Sequence, residues 1–343
     1  MTANTTLYEL ENAPSGAPLL QVKDLHVEFT TREGIARAVN GVNFTVELGK
    51  TLAVLGESGS GKSVTAQAVM GIVDDPPGKV TGGEVLLHGV DILKLSAEER
   101  RLIRGERIAM IFQDALSSLN PTFTVGWQIS ELFRVRRGLG KKESQAKALE
   151  LMERVSIPAA KQRFNNYPHE FSGGMRQRVM IAMALALEPE VLIADEPTTA
   201  LDVTVQAQIL DLLKDLQNER NMGLILITHD LGVVAEVADR IAVMYAGRIV
   251  EHASVRDLFA RPAHPYSLGL IDSIPRLDDT NHQLRAIGGL PPSLTRLPVG
   301  CAFHPRCRFV ADPCLESTPD EVQVSPDQSS RCFFAEEVFH GRR

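Results

Sequence analysis

Two rhythms of apolar residues run along the chain. From Leu19 to Val46 the stretches LLQVKDLHVEFT and AVNGVNFTV alternate apolar and polar positions. That alternation predicts antiparallel strands with one face buried. Short runs that are apolar almost throughout follow: TLAVLG (51–56), IAMIFQ (108–113), VLIADE (191–196), GLILITHD (223–230) and IAVMYAG (241–247). Runs of this kind are strands covered on both faces, as in a parallel sheet. Helical periodicity separates most of them, at Val64–Gly71, Val205–Glu219 and Leu231–Ala238. Strand–helix alternation predicts an α/β domain with a mostly parallel sheet, joined to an antiparallel β subdomain. Between Ser130 and Leu187 the pattern turns helical, as in KKESQAKALELMERVSI, so a helical subdomain is expected over about residues 114–187.

Composition narrows the class. The chain has 343 residues, 44% apolar and 23% charged, with a net charge of −7. Enough apolar surface exists for a normal core, and about two domains are expected. A disordered chain, a collagen-like repeat and a free-standing basic nucleic-acid binder are excluded. After about Ala260 prolines become frequent and the strand–helix rhythm stops, which places a boundary near Phe259–Arg261. Three parts are expected: a polar tail over 1–18, an α/β domain over 19–260 and a small irregular domain over 261–343. The longest apolar run, Val179–Leu187, is about nine residues, short of the roughly 20 that span a bilayer. The N-terminus lacks the basic-then-apolar order of a secretory leader. The chain is therefore expected in the cytosol, reaching a membrane only through a partner.

The sharpest motif is Gly56-Glu57-Ser58-Gly59-Ser60-Gly61-Lys62-Ser63, which fits G-x-x-x-x-G-K-[ST] between a predicted strand and a predicted helix. Its glycines let successive backbone N–H groups converge on phosphate oxygens, and the helix that opens near Lys62 and Val64 adds its positive end. Lys62 would reach the β- and γ-phosphates of a bound nucleotide, and Ser63 would ligate Mg²⁺. VLIADE ends on Asp195 and Glu196 at the C-terminal edge of a buried strand, where α/β sheets bind ligands. Asp195 would hold Mg²⁺, and Glu196 would take a proton from the attacking water.

Further motifs carry a family resemblance. Phe171-Ser172-Gly173-Gly174-Met175, followed by Arg176-Gln177-Arg178, resembles the signature motif of ATP-binding cassette (ABC) ATPases, with Phe171 and Met175 replacing its usual Leu and Gln. Gln113 resembles that family's Q-loop, Ala200-Leu201-Asp202 its D-loop and His229 its switch histidine. The resemblance covers roughly residues 19–260. It implies a cassette that pairs head to tail with a second, homologous ATPase, as a heterodimer. Ser172, Gly173, Gly174 and Met175 would then touch ATP on the partner's phosphate loop. Gly56, Ser58, Gly59, Ser60, Gly61, Lys62, Ser63 and Val64 would bind the chain's own ATP. Gln113 would contact Mg²⁺ or the attacking water, and His229 the γ-phosphate. Phe29 is the candidate for stacking on adenine; an inward-facing strand phenylalanine reads equally well.

From Arg261 onward, AHPYSL (263–268), GLPPSL (289–294) and GCAFHPRC (300–307) resemble the C-terminal extension of oligopeptide/dipeptide importer ATPases. That resemblance implies peptide uptake, two transmembrane permease subunits, a separate peptide-binding protein, and a place on the cytoplasmic face of the membrane with the Leu119–Trp127 loop near the permease. An importer of nickel or other chelates, an antimicrobial-peptide transporter, and a soluble non-transport ABC ATPase are the alternatives. All four cysteines, Cys301, Cys307, Cys314 and Cys332, fall in this last segment. Their C-x5-C-x6-C-x17-C spacing lacks the tight pair common in zinc sites. Four thiolates suit a [4Fe–4S] cluster, which the resemblance favours; Zn²⁺, with His304 as a possible replacement ligand, and free thiols or disulfides stay open. Arg306 and Arg308 would offset negative charge at that site.

Overall fold

A computed structural model describes residues 18–199, 201–274 and 287–341. β1 (Leu20–Thr31) turns at residues 32–33 into β2 (Gly34–Val46), and the two pair antiparallel from Leu20↔Val46 to Thr31↔Gly34. β3 (Thr51–Leu55) is buried at every position and runs through the glycine-rich loop into α1 (Lys62–Met70). β4 (Gly78–Leu87) returns antiparallel to β1, and β5 (Val90–Asp91) follows it. α2 (Ala97–Ile103) starts at a capping box in which Ser96 and Glu99 satisfy each other's backbone N–H groups. β6 (Ile108–Ile111) is again wholly buried.

The helical stretch comprises α3 (Ala115–Ser118), α4 (Val125–Arg137), α5 (Lys141–Arg154), α6 (Ala160–Arg163) and α7 (Gly173–Leu185). Then come β7 (Val191–Asp195), α8 (Val203–Arg220), β8 (Gly223–Thr228), α9 (Leu231–Val237), β9 (Arg240–Tyr245), β10 (Arg248–Ser254), α10 (Val255–Ala260) and α11 (Pro265–Asp272). The C-terminal segment adds α12 (Asp312–Glu316), β11 (Val322–Ser325), β12 (Gln328–Ser330) and α13 (Ala335–Phe339).

Packing divides the chain into two compact units. Of the described residues, the first holds Glu47–Lys50 and Lys94–Leu226, and the second holds residues 18–46, Thr51–Leu93 and those from Ile227 onward. In the first, β6 and β7 pair in parallel, Ile108 opposite Val191. Each fully buried Val, Leu or Ile on such strands contributes about 1.5–3 kcal/mol. Gly126 of α4 leaves room for the Phe164 ring, which an added Cβ would meet at 2.4 Å. Arg178 of α7 donates to the Val155 carbonyl (2.8 Å) and to Gln208 of α8 (3.0 Å), tying three helical segments together.

In the second unit β1, β2, β4 and β5 form an antiparallel sheet ordered β2-β1-β4-β5. β3 pairs in parallel with β9, and β9, β10, β12 and β11 continue antiparallel in that order. The segment after Arg261 is thus not wholly irregular: two short strands extend the sheet. Glu251 of β10 locks them in place. Its carboxylate accepts from the N–H groups of Ala263 (2.7 Å) and His264 (2.9 Å) and from Gln328 Nε2 (2.8 Å).

Candidate active site

The phosphate loop belongs to the second unit. Three of its glycines take left-handed or related backbone angles, with φ of 159° at Gly56, 78° at Gly59 and 108° at Gly61. Space as well as angle demands glycine at two of them. A Cβ at Gly56 would lie 2.2 Å from the Met244 carbonyl oxygen, and one at Gly61 would lie 2.2 Å from that of Ala38. The loop is therefore clamped between β9 and β2, while Ser58 and Gly59 at its crest are exposed. Lys62 is buried, and its ammonium donates to the carbonyls of Gly56 (2.7 Å) and Glu57 (3.0 Å). Ser60 Oγ is buried with no hydrogen-bond partner, a donor suited to an incoming phosphate oxygen. Ser63 and Val64 open α1, half-buried at its N-terminal end. This cradle fits a nucleotide phosphate chain.

The acidic residues belong to the first unit. Asp195 closes β7 and is buried, 4% exposed. Glu196 follows with φ of 45°, a conformation uncommon outside glycine and one that redirects the side chain at the strand end. Its Oε2 accepts from Gln113 Nε2 (3.0 Å) and from Thr199 Oγ1 (2.9 Å). The structure thus brings Gln113 and Glu196 together; Thr199 is a partner that sequence reading missed. Ser172 caps α7, its Oγ accepting from the Met175 N–H at 3.4 Å, and Ser172 and Gly173 are exposed at the helix start. Gly174 lies so close to Val205 of α8 that a Cβ would meet its Cγ1 at 2.7 Å. Asp202 caps α8 through the Val205 N–H (2.9 Å). Ala200 lies outside the described residues. Phe123 and Trp127 of the Leu119–Trp127 loop stack at 4.1 Å, and Phe123 is exposed. Buried Gln128 holds that loop by donating to the carbonyls of Asn120 and Phe123.

Back in the second unit, His229 is exposed just beyond β8, before Asp230 caps α9. Phe29 is half-buried in β1, its ring against Gly78 of β4.

The four cysteines are free thiols lining one cavity with Phe303, Phe309, Phe333 and Phe334. Burial, with the neighbouring thiols adding to it, pushes Cys301 up to about 11 and Cys332 to about 12. Backbone N–H groups of Phe309 and Phe334 point at the sulfurs of Cys307 and Cys332, each at 3.4 Å. Among the described residues no group of three or more His, Cys, Asp and Glu is arranged to hold a metal ion. His304 is occupied locally, its Nδ1 sharing a hydrogen bond with the Cys301 carbonyl. Arg306 and Arg308 do not serve the thiols as expected. Arg308 pairs with Asp272 (3.2 Å), and Arg306 pairs with Glu57 of the phosphate loop (2.6 Å). A lone Glu inside the loop motif carried no signal of that pairing.

Comparison with known proteins follows the same lines. The ABC transporter family matches residues 39–199, and the oligopeptide/dipeptide transporter C-terminal region matches residues 250–314, which includes three of the cysteines but not Cys332. Oligopeptide transport ATP-binding protein OppD of Bacillus subtilis (strain 168) is 53% identical over 90% of this chain and 86% of that protein. OppD of Salmonella typhimurium (strain LT2) is 50% identical over 92% of this chain and 93% of its own length. Among solved structures, the dimeric post-hydrolysis state of the ATP-binding cassette MJ0796 bound to ADP and Pi is 29% identical, with a TM-score of 0.63, over 69% of this chain and 99% of that one. With its phosphate loop, its paired acidic residues and its C-terminal extension all matched, the chain belongs to the ATP-binding cassette family, in the branch of oligopeptide transport ATP-binding proteins.

Proposed function

We propose that this chain is the ATP-hydrolysing subunit of an importer that carries di- and oligopeptides across the cytoplasmic membrane. The observation that carries the reading is the union, in one chain, of a built phosphate cradle and the C-terminal region of peptide transporters. Lys62 and the loop N–H groups would bind the triphosphate, and Ser63, Asp195 and Gln113 are the residues that would hold Mg²⁺. Bound Mg²⁺ supplies neutralisation of phosphate charge. Glu196 takes the proton from water, with Gln113 and Thr199 fixing its carboxylate. His229 contacts the γ-phosphate, and Phe29 stacks on adenine. Ser172, Gly173, Gly174 and Met175 serve ATP bound to a second, homologous ATPase subunit, and the exposure of Ser172 and Gly173 supports that role. Asp202 contributes the D-loop.

Two permease subunits and a peptide-binding protein complete the transporter, with no nucleic-acid partner. The chain sits peripherally at the cytoplasmic face; no helix among the described residues is long and apolar enough to cross a membrane. Exposed Phe123, stacked on half-buried Trp127, supports docking of its loop on a permease. Residues 261–343 form the extension, and Cys301, Cys307, Cys314 and Cys332 would hold a [4Fe–4S] cluster, which would serve as a structural staple. Their convergence on one cavity and the N–H groups aimed at their sulfurs support this.

The test is uptake by vesicles containing the assembled transporter. Di- or oligopeptide accumulation is expected to require ATP inside the equivalent of the cytoplasmic compartment. ATP-driven uptake of nickel chelates with none of peptides would move the chain to the neighbouring importer class.

A further inference from the structure

Glu57 is an acidic side chain inside a loop built to bind a polyanion. Left unpaired, its carboxylate would repel the phosphates that the loop N–H groups attract. The C-terminal segment cancels it. Arg306 donates to both carboxylate oxygens, Nη1 at 2.6 Å and Nη2 at 2.9 Å, in the fork geometry of a strong ion pair. The Arg306 side chain is only 4% exposed. Its Nε donates to the Gly288 carbonyl (2.9 Å), and its guanidinium lies over the rings of Tyr245 (5.8 Å) and Phe303 (6.0 Å). The same segment grips the backbone: the Glu57 N–H donates to Tyr266 Oη at 2.9 Å, and Tyr266 is fully buried. Tyr266 and Phe303 in turn pack on Tyr245 of β9.

The loop needs such an anchor. Gly56 and Gly61 are wedged against carbonyls, but a Cβ at Gly59 would meet nothing within 4 Å. The crest is held through its flanks, at Glu57 by the Tyr266 hydroxyl and at Ser60, whose carbonyl accepts from the Gly247 N–H (2.9 Å). Affinity for phosphate depends on N–H groups aimed in advance, so a loosened flank weakens binding.

We infer that Arg306 and Tyr266 of the C-terminal extension are positioning residues for ATP: Tyr266 fixes the phosphate loop at the Glu57 N–H, and Arg306 neutralises the Glu57 carboxylate that would otherwise oppose the triphosphate. The inference rests on the nucleotide-binding role of the loop. It makes the extension part of the ATP site and gives Glu57 a partner distant in sequence.

Equilibrium ATP binding and steady-state hydrolysis by the full chain in its assembled complex test this. Arg306→Gln is expected to raise the ATP Kd and KM by about 10-fold or more, with kcat within about threefold, because the lost interaction serves binding rather than chemistry. Glu57→Gln alone should change Kd by less than about threefold. The double variant E57Q/R306Q should bind nearly as well as Glu57→Gln, since no unpaired carboxylate is left. Arg306→Lys keeps the charge without the fork and should fall between wild type and Arg306→Gln. An Arg306→Gln protein that binds ATP within twofold of wild type overturns the inference. So does a double variant as weak as Arg306→Gln, because a mere structural brace gives no rescue. Lys62→Ala serves as the control: if it binds ATP like wild type, the phosphate-loop reading itself has failed, and the two failures are told apart.

Discussion

At the scale of single residues, the chemistry depends on side chains whose freedom has been removed. Glu196 sits at a φ of 45° and receives two hydrogen bonds on one oxygen. Glu196→Gln keeps an oxygen that Gln113 and Thr199 can still bond, so the variant should fold and bind ATP normally. Its steady-state hydrolysis in the complex should fall by about 100-fold or more, the usual worth of a positioned base. Sustained turnover near the wild-type rate would remove Glu196 from the proton-transfer role. Gly56, Lys62, Asp195 and Glu196 were legible in the chain because their motif implies its own local geometry: strand, turn, helix. Thr199 was not, since a threonine three residues past a glutamate is common in any turn. Glu57 was legible only as a variable position, because its meaning lies in an arginine 249 residues away.

At the scale of elements, α11 shows how a short helix is anchored. His264 caps it, Nδ1 accepting from the Tyr266 N–H at 3.0 Å, and the ring is 1% exposed. Accepting there requires the neutral imidazole. Burial pushes His264 down from its ordinary 6.5 to about 3. The folded state therefore refuses a proton that the unfolded chain accepts below pH 6.5. Stability is full above that value and is lost as pH falls toward 3, at a limiting slope of about 1.4 kcal/mol per pH unit. Thermal unfolding measured between pH 7.5 and 5.5 should show this decline, and His264→Asn, which can still cap, should flatten it. An unchanged slope in that variant would assign the pH dependence to other groups. The continuous apolar runs predicted β3, β6, β7, β8 and β9 to within about two residues, since burial on both faces leaves no other reading. β11 and β12 escaped detection. With three or four residues each, among Pro, Asp and Ser, they have too little pattern to read; β12 forms on the edge of β10, and β11 on that of β12.

For the whole molecule, the C-terminal segment is built into the unit that holds the phosphate loop, although its sequence texture suggests a separate module. Its four thiols line one cavity beneath a phenylalanine wall. Chain purified under nitrogen should be brown, with about four irons per molecule, and Cys307→Ser should lose most of that colour. Colourless protein carrying one zinc would assign the cavity to a different metal.

The amino-acid sequence by itself determined the family, the strand–helix alternation of the main domain, and the candidate phosphate loop and acidic pair. Those properties are written in local spacing, and local spacing survives without knowledge of the fold. Only the tertiary structure decided what Glu57 and Arg306 do. An ion pair across 249 positions leaves no periodicity and no motif; it exists because Tyr245, Tyr266 and Phe303 pack together and deliver a guanidinium to the phosphate loop. The C-terminal segment, readable at first only as a cysteine-bearing appendage, is tied to the phosphate loop through Arg306 and Tyr266 at Glu57.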